Sequence, residues 1–369
     1  MPTYIKPALV LDAGRARRNI ERMAAKARRL GLRFRPHFKT HQSRAVGRVF
    51  RASGVEAISV SSVDMAEYFA ADGWRDILVA FPLNILEIDG LRRLARRVKL
   101  GVLVEAADGL AALAAGVGRP VDVWIKIDIG ANRAGLDWND RAGQARVCAE
   151  AVRLPRLRLR GLLTHNGRTY AARTPEALAA SHADSLDKMR RARRALEAAG
   201  FAGLEISVGD TPSCSRLEDF DGVDEVRPGN FVLYDVTQLE LGSCAERDVA
   251  AAVACPVVAV HGRRREIVVY GGAIHLSKED FVSARDGRIY GRVCRPRGAG
   301  WGPVLPGTSV RALSQEHGVV ATTEDVIRRT RPGDILFVLP VHSCLTVDLW
   351  RQYVDLKGNK IPTIRAFGS

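Results

Sequence analysis

Between residues 12 and 245 the chain alternates a short strand-like run with a stretch of helical period, and it does so about eight times. Few folds accommodate that rhythm. The strand-like runs are 32–38, 55–61, 76–81, 99–105, 121–128, 157–164, 204–208 and 231–234. Helical periodicity is clearest at 14–30, 139–153 and 176–199. Strands joined through helices build βα units and a parallel sheet, the mark of an α/β fold. Eight units close into a (β/α)8 TIM-type barrel of about 250 residues. An open doubly wound sheet is the competing arrangement.

The texture changes near residue 246. Runs rich in β-branched residues, such as AAAVACPVVAV and DILFVLPV, are split by Gly, Pro and charged turns. Helical period fades. This predicts a smaller, mainly antiparallel β domain. The expected division is a barrel over 12–245 and a β domain over 246–369, with residues 1–11 joining the latter.

The 369 residues carry a formal net charge of +15. Only nine of the 56 basic residues are lysine, and the arginines spread along several helical runs rather than forming one basic arm. Solvated helix faces account for such a pattern, so no nucleic-acid partner is expected. There is no run of 18 apolar residues to span a membrane, and the start MPTYIKPALVLDAG has no apolar signal core. Six irregularly spaced cysteines without a CxxC pair read as reduced thiols of a cytoplasmic protein.

Barrel chemistry sits at the carboxyl ends of the strands. RPHFKTHQ (35–42) therefore places Lys39 at the mouth with His37 and His41 beside it. A lysine desolvated near other cations becomes a nucleophile able to form an imine. VGDTPS (208–213) and RPGN (227–230) flank the last strand runs. Thr211 and Ser213 offer hydroxyls there, and Gly229 and Asn230 offer backbone amides, which is the build of a barrel phosphate site. Ordinary turns use the same residues. Arg133 follows the strand at 121–128, and its fixed charge suits a phenolate, phosphate or carboxylate. His165 and Tyr170 follow the strand at 157–164 and could flank an aromatic cofactor or simply pack. In the β domain, His342 and Cys344 lie two apart, on one face if extended. Imidazole and thiolate are a zinc-type pair, although two ligands are fewer than a structural site needs. His317 and the run 270–279 have no assigned role.

Taken together, PALVLDAGRARRNIERMAA, RPHFKTHQ, IDIGANRAG, THNGRTY, SVGDTPSC, VRPGNFVLYD and PVHSCLTVDL resemble the D-serine dehydratase/D-threonine aldolase-like family. These are fold-type III pyridoxal 5′-phosphate (PLP) enzymes related to the alanine racemase N-terminal barrel. The resemblance implies that Lys39 is the Schiff-base lysine. It implies phosphate contacts at Thr211, Gly229 and Asn230, and ring neighbours at Arg133, His165 and Tyr170. His342 and Cys344 would hold a divalent metal, zinc first, with manganese or cobalt as alternatives. Two residues depart from the pattern: Gln42, where a lysine is expected, and Asp210, a carboxylate beside the phosphate position.

The expected activity is elimination of the β-hydroxyl of a D-3-hydroxy amino acid such as D-serine, giving an oxo acid and ammonia. The HxC pair favours it by resemblance. Retro-aldol cleavage to glycine and an aldehyde is the alternative, and a non-catalytic PLP carrier is a reading from another class. A small D-amino acid substrate and a homodimer follow from the same resemblance.

Overall fold

The computed structural model describes residues 3–367, which fall into two compact units. One comprises Arg22–Lys39 and Arg51–Gly229; the other takes the residues up to Glu21, Thr40–Phe50 and those from Asn230 onward. The outermost residues of the expected domains, 1–2 and 368–369, lie outside the described residues.

The first unit is the expected barrel. Its strands are β1 (Arg33–Phe34), β2 (Ala57–Val60), β3 (Asp76–Pro82), β4 (Lys99–Val104), β5 (Val121–Asp128), β6 (Leu157–Leu163), β7 (Glu205–Val208) and β8 (Glu225–Val226). They run parallel in the order β1, β8, β7, β6, β5, β4, β3, β2. A parallel bridge between His37 and Ser59 joins the two ends, so the sheet closes on itself. Helices return the chain between strands, as right-handed crossovers require. The longest, Pro175–Ala198, starts where Thr174 accepts the Ala177 amide and proline occupies the first turn. Leu178, Leu186, Met189 and Leu196 form its buried stripe.

One strand differs from expectation. FVLY (231–234) is not the eighth strand: Asn230–Val232 is a 3-10 turn of the other unit, and β8 is the two-residue Glu225–Val226. A fully apolar run of four has the same signature in a buried turn as in a strand. Pro228 lacks the N–H that would continue the β8 side of its ladder with β1, so the regular pairing ends there.

A buried ionic network ties β1, β7 and β8 together. Glu225, with its side chain fully buried, accepts from Arg35 at 2.8 Å, from Arg33 at 2.7 Å and from the Ser207 hydroxyl at 2.7 Å. Arg35 also reaches Asp76 at 2.6 Å. Burial alone would raise the Glu225 pKa, but the adjacent Arg35 and Arg33 charges override it and hold it below the ordinary value. A depressed carboxylate stabilises the folded state above its unfolded pKa and loses that contribution as pH falls through the folded pKa. Removing one partner strands the others. Glu225→Ala is therefore expected to lower unfolding stability by about 3–5 kcal/mol in a urea titration at neutral pH. The deficit should shrink as pH falls below the ordinary carboxylate range and through the depressed pKa of the wild-type Glu225. A loss under about 1 kcal/mol would mean the network contributes little.

The second unit is built on a nine-stranded sheet, antiparallel except where Ala8–Leu11 runs beside Gln352–Asp355. Ala8–Leu11 pairs on its other side with Ala251–His261, which in turn pairs with Ile335–Pro340. Short helices, Ala273–Leu276 and Ser343–Asp348 among them, interrupt the strands. Among the described residues no helix is long and apolar enough to cross a membrane.

Candidate active site

In the barrel unit, β1, β8 and β7 are neighbours, and the segments that leave their carboxyl ends lie against one another. The His37 amide donates to Pro228 O at 3.0 Å and the Arg227 amide to Val208 O at 2.8 Å. Gly209 makes this approach feasible, because a Cβ there would stand 2.7 Å from the Arg227 carbonyl carbon. RPHFK, VGDTPS and RPG thus meet at one point of the mouth.

Lys39 lies in the turn after β1, with its amide donating to His37 Nδ1 at 3.3 Å. Its side chain is exposed, not desolvated as expected, because the turn directs Phe38 into the core and leaves Lys39 facing outward. His41 belongs to the second unit, where it stacks on Phe50 at 5.5 Å and accepts from the Ser43 amide. Burial pushes its pKa down to about 3, so it is a neutral core imidazole.

Thr211 opens the short helix Thr211–Arg216, and its hydroxyl is buried without a hydrogen-bond partner among the described residues. Buried hydroxyls are ordinarily paired, so an unpaired one marks a place for an acceptor. The Thr211 amide donates to the Tyr170 hydroxyl at 3.3 Å, which brings Tyr170 to this loop. Asp210 is turned into the helix cap, accepting from the Ser213 amide at 2.8 Å and the Thr169 hydroxyl at 2.9 Å. Burial raises its pKa.

His165 is half-buried and its Nδ1 faces the Gly209 carbonyl, which requires Nδ1 to carry the proton and leaves Nε2 as an acceptor. Burial, then the charge of Lys39, pushes its pKa down to about 3. Its ring centroid lies 5.9 Å from that of Tyr170. Arg133 is exposed in a loop pinned by Asp128, whose carboxylate accepts the amides of Gly130, Ala131 and Asn132 at 2.8–2.9 Å.

Sequence reasoning missed two buried cations here. Arg227 donates to the Ser207 hydroxyl at 2.7 Å and to Thr164 O at 2.6 Å. The Lys126 amine, on β5, donates to the Ile127 carbonyl at 3.1 Å, its one hydrogen bond among the described residues. Burial, then Arg227 and Arg133, lower its pKa to about 8. The signal available was a lysine between two isoleucines in a mostly apolar strand.

The second unit gathers the thiol cluster. His342 caps the helix Ser343–Asp348 and Cys344 is its second residue, so they meet across a strand-to-helix turn rather than on one face of a strand. Thr40 Oγ1 lies 3.1 Å from Cys344 Sγ. The Asn230 amide side chain donates to the Ser343 hydroxyl at 3.0 Å and lies 3.8 Å from Cys344 Sγ. The side chain of Asn230 therefore belongs to this cluster. Buried Asp235, also missed, accepts from the Ser343 amide at 3.0 Å. Burial alone would lower the His342 pKa, but its hydrogen bond to Cys344 and the charges of Cys344, Asp235 and Glu279 push it up to about 9. Glu279 Oε1 is 3.9 Å from His342 Nδ1. No group of three or more His, Cys, Asp or Glu suited to a metal occurs among the described residues.

Comparison with known proteins gives two matching family models. One, described as alanine racemase, N-terminal domain, matches residues 11–236. The other, a serine dehydratase domain, matches residues 250–355. D-threo-3-hydroxyaspartate dehydratase of Delftia sp. (strain HT23) is 35% identical over 93% of this chain and 92% of its own length. Its solved structure superposes with a TM-score of 0.89 at 33% identity, covering 98% of this chain and 97% of that one. Two further solved forms carry a histidine-to-alanine and a cysteine-to-alanine change, the latter in the metal-free form. D-serine dehydratase of Dictyostelium discoideum is 26% identical over 94% of this chain and 91% of its own length. 3-Hydroxy-D-aspartate aldolase of Paracoccus denitrificans (strain Pd 1222) is 26% identical over 97% and 90% respectively.

Proposed function

This chain belongs to the family described as alanine racemase, N-terminal domain, and from that membership we propose a PLP-dependent lyase that eliminates water from a small D-3-hydroxy amino acid. The observation that carries the reading is the convergence at one barrel mouth of Lys39, an unpaired buried Thr211 hydroxyl and the Gly209/Arg227 backbone approach. These residues fit the phosphate and aldehyde ends of PLP.

When bound, PLP supplies an electron sink for charge developing at the substrate Cα, and a divalent metal supplies Lewis acidity toward a hydroxyl oxygen. The chain's own residues do the rest. Thr211 and the backbone of Gly229 and Asn230 bind the phosphate. Arg133 would supply a permanent positive charge for the ring oxygen. His165, neutral and with Nε2 free to accept, lines the ring with Tyr170. Lys39 would hold the aldehyde end of the cofactor through Nζ, and the same amine would move the Cα proton. His342 and Cys344 would hold the metal. A two-residue protein set leaves positions for water and the substrate hydroxyl, as catalytic sites do and structural sites do not. Asp235 orients the turn that carries both ligands. The cysteine-to-alanine form of the Delftia protein being metal-free supports assigning the metal to this pair. Zinc is the ion we assign, from the imidazole–thiolate donor set. A homodimer acting on D-amino acids in the cytoplasm completes the reading, with the barrel over 12–245 and the β domain over 246–369.

The test is product analysis with D-threo-3-hydroxyaspartate, D-serine and D-threonine. Oxo acid and ammonia support elimination. Glycine and an aldehyde would replace it with the retro-aldol reading, to which the Paracoccus relative lends weight. No turnover with a stably bound cofactor would leave the non-catalytic carrier.

Thr211→Val checks the phosphate contact separately. Losing a hydrogen bond to a charged group should weaken PLP binding by roughly ten- to a hundredfold in a cofactor titration. Folding stability of the apo protein should hold or rise, since the valine methyl replaces a buried, unpaired hydroxyl. Unchanged PLP affinity would remove Thr211 from the site.

A further inference from the structure

The barrel has a second concavity, at the amino-terminal ends of its strands. It measures about 680 Å³ and is lined by residues at or next to the starts of β3, β4, β5 and β6, the end opposite the mouth where barrel chemistry sits. Seven of its lining side chains are basic and one, Asp122, is acidic.

Those cations divide into two groups, and Arg75 falls with the held ones by donating to the Ala70 and Trp74 carbonyls. Lys99 and Arg158 reach Asp122 at 3.9 and 2.8 Å, and Arg160 pairs with Glu205. These are held in place by partners. Arg96, Arg97 and Arg119 are exposed, and their guanidinium groups form no ion pair or hydrogen bond among the described residues. Most arginines on this barrel find a carboxylate or a carbonyl. Three free guanidiniums facing one hollow, with paired cations beneath them, therefore concentrate positive potential where low-dielectric walls focus it. The walls are Ala95, Val98, Pro120 and Leu159.

We propose that this groove is an anion site for a small polyphosphate chain, of the class of inorganic tripolyphosphate. Guanidinium forks match phosphate oxygens bidentately, and three forks match a ligand with several adjacent phosphates better than a single one. The lining holds no aromatic side chain, so a nucleobase would have no stacking platform, and single-stranded nucleic acid is disfavoured accordingly. The site is independent of the catalytic reading: none of its residues belongs to the mouth.

The experiment is calorimetric titration of the full-length, PLP-loaded protein, freed of excess cofactor, with sodium tripolyphosphate. Orthophosphate, ATP and a short single-stranded oligonucleotide are the comparison ligands. Tripolyphosphate should bind more tightly than orthophosphate. Its affinity should fall as salt rises from about 0.01 to 0.15 M, because the screening length shrinks from about 30 to 8 Å. The R96A/R97A/R119A variant should lose at least roughly a hundredfold in affinity while keeping its circular dichroism and its lyase rate in polyphosphate-free buffer. ATP binding no tighter than tripolyphosphate supports recognition of the phosphate chain alone. No tripolyphosphate binding at low salt, binding unaffected by the triple substitution, or clearly tighter binding of ATP or the oligonucleotide would each overturn the proposal.

Discussion

Lys39→Ala should give a colourless protein whose lyase rate is reduced by roughly a hundred- to ten-thousandfold, the span usual for loss of a positioned proton-transfer group. The fold should survive. Lys39 is exposed, and the hydrogen bond from its amide to His37 Nδ1 uses the backbone and persists with alanine. Surface changes of this kind ordinarily alter stability by about 0.5 kcal/mol or less. Urea midpoints of the variant and the parent should therefore agree. The phosphate contacts at Thr211 and Gly229 remain, so added PLP should still bind, but without the visible band or its loss on borohydride treatment. A Lys39→Ala protein that keeps both colour and turnover would remove Lys39 from the mechanism.

Cys344→Ala is the second large effect, and it separates the metal from the cofactor. Cys344 receives contacts from Thr40, Asn230 and His342, all within the second unit, whereas Thr211, Tyr170 and His165 belong to the barrel unit. The variant should therefore keep PLP and its absorbance while losing bound metal and activity. Several kcal/mol of charge stabilisation on a leaving oxygen correspond to more than roughly a hundredfold in rate. The His342 imidazole alone is a weak ligand, so excess zinc should restore the rate only in part. Elemental analysis beside the absorption spectrum and kcat reads all three quantities. Treating the parent protein with a chelator should reproduce the same state reversibly. Turnover that survives chelation would leave His342 and Cys344 as a structural hydrogen-bonded pair.

Much of this was legible in the chain. Strands of four or more residues, such as β5 over Val121–Asp128, announce themselves by apolar β-branched runs, and their alternation with helices specifies a parallel barrel. β8 did not, because two residues carry no period, and the apolar FVLY beside it imitates a strand while packing as a turn. Lys39 was visible through its position after the first strand, but its exposure was not, since exposure depends on which way a turn sends Phe38. His342 and Cys344 were read from a spacing of two, and they do meet, yet across a helix cap rather than along a strand. His41 looked like a mouth residue and is a core imidazole of the other unit. Asp235 and Arg227 act through partners distant in sequence, and no local pattern distinguishes them. The same is true of Arg96, Arg97 and Arg119. The last comes from a different βα connection than the first two, so the basic groove exists only once the barrel closes.

The most direct test of the central claim is to reduce the PLP-loaded protein with borohydride, digest it, and locate the pyridoxyl mass by peptide sequencing. Borohydride fixes the cofactor to the lysine that carries it. The account predicts one modified site, Lys39. Modification of Lys126, the buried barrel lysine, or of no lysine at all would contradict it.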